Sequence, residues 1–196
     1  MMSKTIKIPQ GIQGLIFDMD GTLADTMPTH YLAWKKTLAS VGYDFSEEEF
    51  YSLAGMSTER ILKKIGKEHN IEMDVPKLAD QKEKEYLELI GDVKPVEPVF
   101  KIAEEYYGKM PMAIGTGNID ELIEHTLTAL GVYHWFDVKV GADQVENPKP
   151  DPETFLQCAI RMGVEPRFCL VFEDGEPGIQ AARAAGMKVI DVREYL

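Results

Sequence analysis

Asp18 and Asp20 flank a single residue in Asp18-Met19-Asp20-Gly21-Thr22, directly after the apolar run Leu15-Ile16-Phe17. A short run of this kind reads as a buried parallel strand. It would deliver two carboxylates to the carboxyl end of a sheet, where open α/β folds gather their ligands. Alternation along the strand would send both side chains the same way, unless the turn that starts here intervenes. One carboxylate can attack an electrophile while the other moves a proton, and both can help hold a hard cation. A calcium loop of the EF-hand type also opens Asp-x-Asp, but it needs its glycine sixth and a helix before it. Here Gly21 stands fourth and a strand precedes it. The plain alternative is a strand that runs into an acidic turn, and other motifs decide against it.

Three further strand ends carry polar groups. The segment 112–115 runs into Thr116-Gly117-Asn118, which offers a hydroxyl, a close backbone approach and the N–H groups of a following helix. Asn147-Pro148-Lys149-Pro150-Asp151-Pro152 fixes one lysine between prolines, a counter-charge suited to phosphate. Asp151 reads there as a helix cap with Pro152 at the first helical position. Val171-Phe172-Glu173-Asp174-Gly175 again ends a strand in two carboxylates. Two acidic strand ends on one edge repel unless a cation lies between them, and oxygen-only ligands suit Mg²⁺ rather than Zn²⁺.

The elements that must place these residues follow from apolar spacing. Helical periodicity covers residues 28–41, 46–53, 57–65 and 75–90, then 99–107, 119–130, 154–162 and 178–185. Strand-like runs cover 15–17, 112–115, 138–141, 169–172 and 189–192. Strands alternating with helices predict an α/β fold, a doubly wound parallel sheet with right-handed crossovers. The gap between the first two strands is roughly three times the ~30 residues a βαβ unit needs. The surplus is helical, so the sequence predicts an α/β core formed by residues 1–25 and 95–196. An α-helical cap over residues 26–94 is inserted after the first strand, where a lid belongs.

Composition bounds the rest. A 196-residue chain with 44% apolar and 28% charged residues is that of an ordinary globular protein. Net charge of −12 argues against nucleic acid and anionic membrane as partners. No apolar stretch is long enough to span a bilayer, and residues 1–10 lack a signal-peptide core, so a cytoplasmic location is expected. Cys158 and Cys169 have no metal-ligand spacing and read as buried thiols. His69, His125 and His134 have neither ligand nor triad spacing. A monomer is expected, since a lid must swing freely.

Four strand-end motifs in this order, with a helical insertion after the first, resemble the haloacid dehalogenase-like superfamily of phosphotransferases over nearly the whole chain. The resemblance implies that Asp18 is the nucleophile, forming an aspartyl-phosphate, and Asp20 the general acid/base. It implies that Thr116, Gly117, Asn118 and Lys149 hold the phosphoryl group. It also implies that Mg²⁺ is bound by Asp18, the backbone carbonyl of Asp20, Asp174 and Glu173. Within the superfamily the chain is most similar to the group of β-phosphoglucomutase and small bacterial fructose-1-phosphate-type phosphatases. His30-x-x-x-Trp34-Lys35, Ala54-Gly55-Met56-Ser57 and Lys82 carry that similarity. It implies substrate contacts from His30, Arg60 and Lys82. Two departures stand out: Thr58 replaces the mutase's lid arginine, and Gly175 replaces the usual serine after Glu-Asp. The implied activity is Mg²⁺-dependent hydrolysis of a small phosphorylated metabolite, a sugar phosphate. The alternative is a phosphomutase that returns the phosphoryl group to a bound sugar diphosphate. Dehalogenase relatives usually lack the second Asp, and a binding protein would tolerate loss of a key group.

Overall fold

The computed structural model describes residues 5–91 and 93–196. Residues 1–4 of the expected first core segment and residue 92 of the expected cap lie outside that range. Five strands form one sheet: β1 (Gly14–Phe17), β2 (Met112–Gly115), β3 (Val138–Val140), β4 (Cys169–Glu173) and β5 (Lys188–Asp191). Their order is β3-β2-β1-β4-β5, and every pairing is parallel. That is the doubly wound arrangement, with β1 at the centre, where strand order reverses.

Alternation along β1 explains its unbroken apolar run. Leu15 and Phe17 enter one core layer with Met112, Ile114, Leu170 and Phe172. Ile16 faces the other layer with Ala113, Val140 and Val171. Helices cover both faces, so every position must be apolar. The first layer takes α5 (Glu97–Tyr106) and α6 (Asp120–Ala129) through Val99, Ile102, Ile123 and Leu127. The second takes α7 (Glu153–Met162) and α8 (Glu176–Ala184) through Phe155, Ala159, Ala181 and Ala182. Register puts Phe17 beside Phe172, and their rings stack with centroids 4.7 Å apart. This fixes the ends of β1 and β4 relative to one another.

Four helices lie between β1 and α5: α1 (Met27–Ala39), α2 (Glu47–Ser52), α3 (Thr58–His69) and α4 (Val75–Leu89). They share a separate core of Trp34, Leu38, Phe45, Phe50, Leu62 and Ile65. The two chain crossings to this layer pair with each other: Asp25 N–H donates to Lys94 O (2.8 Å) and Val96 N–H to Leu23 O (3.0 Å).

Small differences from the sequence reading have local causes. The third helix runs past residue 65 to His69, where Asn70 ends it in the left-handed conformation (φ 53°). The last strand stops at Asp191, since Val192 turns inward and is buried in the first core layer. Asp151 Oδ1 accepts from Glu153 N–H (3.0 Å), but the cap position of α7 falls on Pro152, one residue beyond the expected Asp151. Cys158 and Cys169 are free and buried. No helix among the described residues is long and apolar enough to cross a membrane.

Candidate active site

The ends of β1 and β4 bring three carboxylates together. Asp18 follows β1 and stays anchored to the sheet, its N–H donating to Phe172 O (3.0 Å). Glu173 ends β4 and Asp174 follows it. One oxygen from each of Asp18, Glu173 and Asp174 lies within 4.8 Å of the others. Lys149 is wholly buried and donates to Asp18 Oδ1 and Glu173 Oε1, both at 2.8 Å. Burial works against its charge, but the two carboxylates more than reverse this and raise its pKa.

One lysine does not balance three acids. Burial, then the neighbouring carboxylates, push Asp18 well above the usual range despite Lys149. Burial and Glu173 push Asp174 up to about 7, although the Thr22 hydroxyl donates to Asp174 Oδ1 at 2.8 Å. A site with surplus buried negative charge and only oxygen donors fits a hard divalent cation. Glu173 is positioned by α8: a Cβ on Gly178 would fall 1.7 Å from Glu173 Oε1, so this helix approaches only as glycine.

Asp20 turns away from that cluster. Oδ1 accepts from the Thr26 hydroxyl (2.5 Å) and from His30 Nε2 (2.9 Å), and Oδ2 accepts from Asn118 Nδ2 (2.5 Å). Burial opposes its charge, but His30 and Thr26 outweigh it and lower the pKa. Burial first, then Lys82, lowers the His30 pKa, which favours a neutral ring donating from Nε2. That ring stacks on Tyr86 with centroids 3.9 Å apart.

Asp18, Asp20, His30, Lys82, Thr116, Gly117 and Asn118 line one small cavity of about 50 Å³. Thr116 is anchored by its N–H to Val140 O (3.0 Å), and its hydroxyl oxygen accepts from Asn118 N–H (3.2 Å). Of the residues singled out by sequence, Lys149 and Glu173 sit behind Asp18 and off the cavity wall. Asp174 instead lines a cleft at the hinge with Gly21, Asp25 and Arg193. Arg60 is not on the wall either: Nη1 donates to Pro148 O (2.9 Å) across a wider cleft of about 570 Å³. The reason is helical phase. Thr58 and Ile61 line the cavity, and Arg60 stands about 200° round α3 from Thr58.

Several contributing residues escaped the sequence reading. Thr26 has no motif beyond its place in the hinge. Glu83, next to Lys82, was not singled out, yet it accepts from the Thr58 hydroxyl (2.7 Å) and from Lys82 Nζ (3.1 Å). Gly175, which replaces the usual serine, donates its N–H to Glu173 Oε2 (2.5 Å), and a Cβ there would meet Ala54 O at 2.6 Å. The cap loop therefore rests on this glycine.

Comparison with known proteins gives a consistent set of relatives. A family model described as haloacid dehalogenase-like hydrolase matches residues 15–192. Fructose-1-phosphate phosphatase YqaB of Escherichia coli (strain K12) is 44% identical over 180 residues, covering 92% of this chain and 96% of that protein. Beta-phosphoglucomutase of Bacillus subtilis (strain 168) is 29% identical over 188 residues, covering 92% of this chain and 83% of that one. The crystal structure of beta-phosphoglucomutase (pgmB) from Clostridium difficile superposes with a TM-score of 0.79 at 28% identity, over 91% of this chain and 83% of that chain.

Proposed function

The chain belongs to the haloacid dehalogenase-like hydrolases, and from that premise we propose that it is a phosphatase that hydrolyses a small sugar phosphate through an aspartyl-phosphate on Asp18. The observation that carries this reading is the pairing of Asp18 with a separately anchored Asp20 on one cavity wall, beside Thr116, Gly117 and Asn118. Asp18 attacks phosphorus, and the P–O bond to the sugar breaks. Asp20, ionised in the free site, must take up a proton as the substrate enters; it gives that proton to the departing sugar oxygen and recovers one from the water that attacks the acyl phosphate. Inorganic phosphate leaves and Asp18 is restored. The Thr116 hydroxyl, its oxygen steadied by the Asn118 N–H (3.2 Å), and the backbone around Gly117 and Asn118 would hold the phosphoryl oxygens. Lys149 keeps Asp18 and Glu173 in place and offsets part of their charge.

Asp18, Glu173 and Asp174, with the Asp20 backbone carbonyl, would hold Mg²⁺, which supplies neutralisation of phosphoryl charge so that an anionic carboxylate can approach. Helices α1–α4, residues 26–94, act as the lid that excludes bulk water and selects the leaving group. The same reading makes the protein a cytoplasmic monomer with no nucleic-acid partner, in keeping with its net charge of −12.

The test is incubation with Mg²⁺ and a panel of sugar phosphates, including β-glucose 1-phosphate with and without glucose 1,6-bisphosphate. Released phosphate and glucose 6-phosphate are both followed. Phosphate release is expected, and Asp18→Asn should lower it by at least about ten-thousandfold. Bisphosphate-dependent glucose 6-phosphate with little free phosphate would refute the hydrolase and establish a mutase.

A further inference from the structure

We propose that Glu83 sets the charge of the leaving-group wall, so that the enzyme takes the monophosphate of an otherwise neutral sugar or polyol and rejects one bearing a second phosphate. This rests on the phosphatase reading above and names its substrate class more closely.

The cap presents a largely apolar wall to the cavity, with Trp34, Phe50, Met56 and Ile61 among its lining residues. Its polar groups there are His30, Thr58 and Lys82. His30 is already turned to Asp20. Lys82 is therefore the cation the cap offers, and its side chain is only 2% exposed. Its ammonium does not stand alone. Nζ donates to Glu83 Oε2 at 3.1 Å, while the other Glu83 oxygen accepts the Thr58 hydroxyl at 2.7 Å. One carboxylate thus engages both the cation and the hydroxyl of this wall.

The consequence is electrostatic. A distal phosphate needs surplus positive charge and free donors, as a site built for it would supply. Here Glu83, which lines the adjoining cleft rather than this cavity, cancels the Lys82 charge from behind, and Asp20 on the cavity wall presents negative charge to an incoming dianion. Separating the pair to free Lys82 would strand a largely buried carboxylate, which is costly. A sugar hydroxyl makes no such demand. An ammonium has three donors, so Lys82 can serve Glu83 and one hydroxyl together. The apolar wall then carries the face of the sugar ring. Discrimination of this kind comes from repulsion of the wrong ligand as much as attraction of the right one.

The experiment is calorimetric titration in an Asp18→Asn background, which separates binding from turnover, with fructose 1-phosphate and fructose 1,6-bisphosphate in the presence of Mg²⁺. The reacting phosphate is common to both ligands, and only the distal group differs. The monophosphate is expected to bind at least about tenfold more tightly. Adding Glu83→Gln should tighten the bisphosphate about tenfold and move the monophosphate by less than about twofold. Adding Lys82→Met to that variant should undo the gain, which a merely structural role for Glu83 would not produce. Equal or tighter bisphosphate binding by the Asp18→Asn protein overturns the proposal without any second substitution. So does a parallel change of both ligands on Glu83→Gln. Failure of the monophosphate to bind at all refutes the phosphatase reading, and the proposal falls with it.

Discussion

Removing divalent metal should make this fold lose stability as pH rises from about 4 to about 7, the reverse of the usual behaviour of native carboxylates. The cause is Asp174, whose ordinary value of 3.8 is pushed up to about 7 by burial and then by Glu173. Asp18 moves in the same direction, chiefly through burial. In the unfolded chain both groups ionise near their ordinary values. Between the two values the native state holds protons that the unfolded state has released, so stability falls as pH increases. For Asp174, about three pH units at 1.36 kcal/mol set a ceiling of about 4 kcal/mol. Solvent reaches Asp174 from the hinge-side cleft, which brings the expected loss to about 2 kcal/mol, or roughly 4–8 °C in Tm for a chain of this size. Mg²⁺ binds the ionised carboxylates and displaces their protons, so its stabilisation should grow with pH. Asp20, Glu153 and Asp191 lie below their ordinary values, so their contribution is lost only as pH falls through those lowered values. His30, pulled below 6.5, favours the fold as pH rises. Asp174→Asn isolates the term from that background. Calorimetric melts in chelator and in Mg²⁺, at about pH 5 and about pH 8, test it. A Mg²⁺-induced shift equal at both pH values, or a slope unchanged in Asp174→Asn, would refute the reasoning.

Other substitutions probe the same parts. Lys149→Met leaves Asp18 and Glu173 without their buried partner. Without metal it should cost about 3–5 kcal/mol in urea melts, with part regained at low pH as the carboxylates take up protons. Gly178→Ala puts a Cβ 1.7 Å from Glu173 Oε1 and must swing that carboxylate away. Metal affinity read by titration should fall about 10–100-fold, and unchanged affinity would remove Glu173 from the metal's surroundings. Gly175→Ser places its Cβ 2.6 Å from Ala54 O, so the cap loop must retreat. A fall in kcat/KM of about tenfold or more with Tm held within about 2 °C is expected. Unaltered kcat/KM would show that the cap does not need this contact.

The grouping of the candidate site was legible in the sequence because most of its residues stand at strand ends. Leu15-Ile16-Phe17 is apolar throughout because both faces of β1 are covered, and that pattern places Asp18 at the rim without knowledge of any partner. The same holds for Val171-Phe172 before Glu173 and for Met112–Gly115 before Thr116. Parallel register then aligns these rims: Phe17 pairs with Phe172 and with Ile114. A local signal repeated on neighbouring strands therefore becomes one site once the ladder forms.

The arrangement of the cap wall was not legible, and the reason is geometric. Glu83 lies within Gln81-Lys82-Glu83-Lys84-Glu85, a run of alternating charges in which nothing local separates an inward carboxylate from a solvated one. What buries Lys82 is Trp34 on α1 and Tyr86 one turn along α4, whose rings lie 5.7 and 5.5 Å from Nζ. What turns Glu83 inward is Thr58 on α3, 25 positions earlier in the chain. Arg60 shows the converse: its place two residues after the position of the mutase's lid arginine suggested the substrate, yet helical phase on α3 carries it to Pro148 on the core. A cap residue acts through helix packing and rotation about a helix axis, neither of which its own segment records. Within one fold, the strand-end carboxylates are thus tied to backbone register, and the polar groups of the cap wall to side-chain packing between helices. Substitutions in the second set can therefore reshape the cap side of the cavity while Asp18, Asp20 and Lys149 stay where the core puts them.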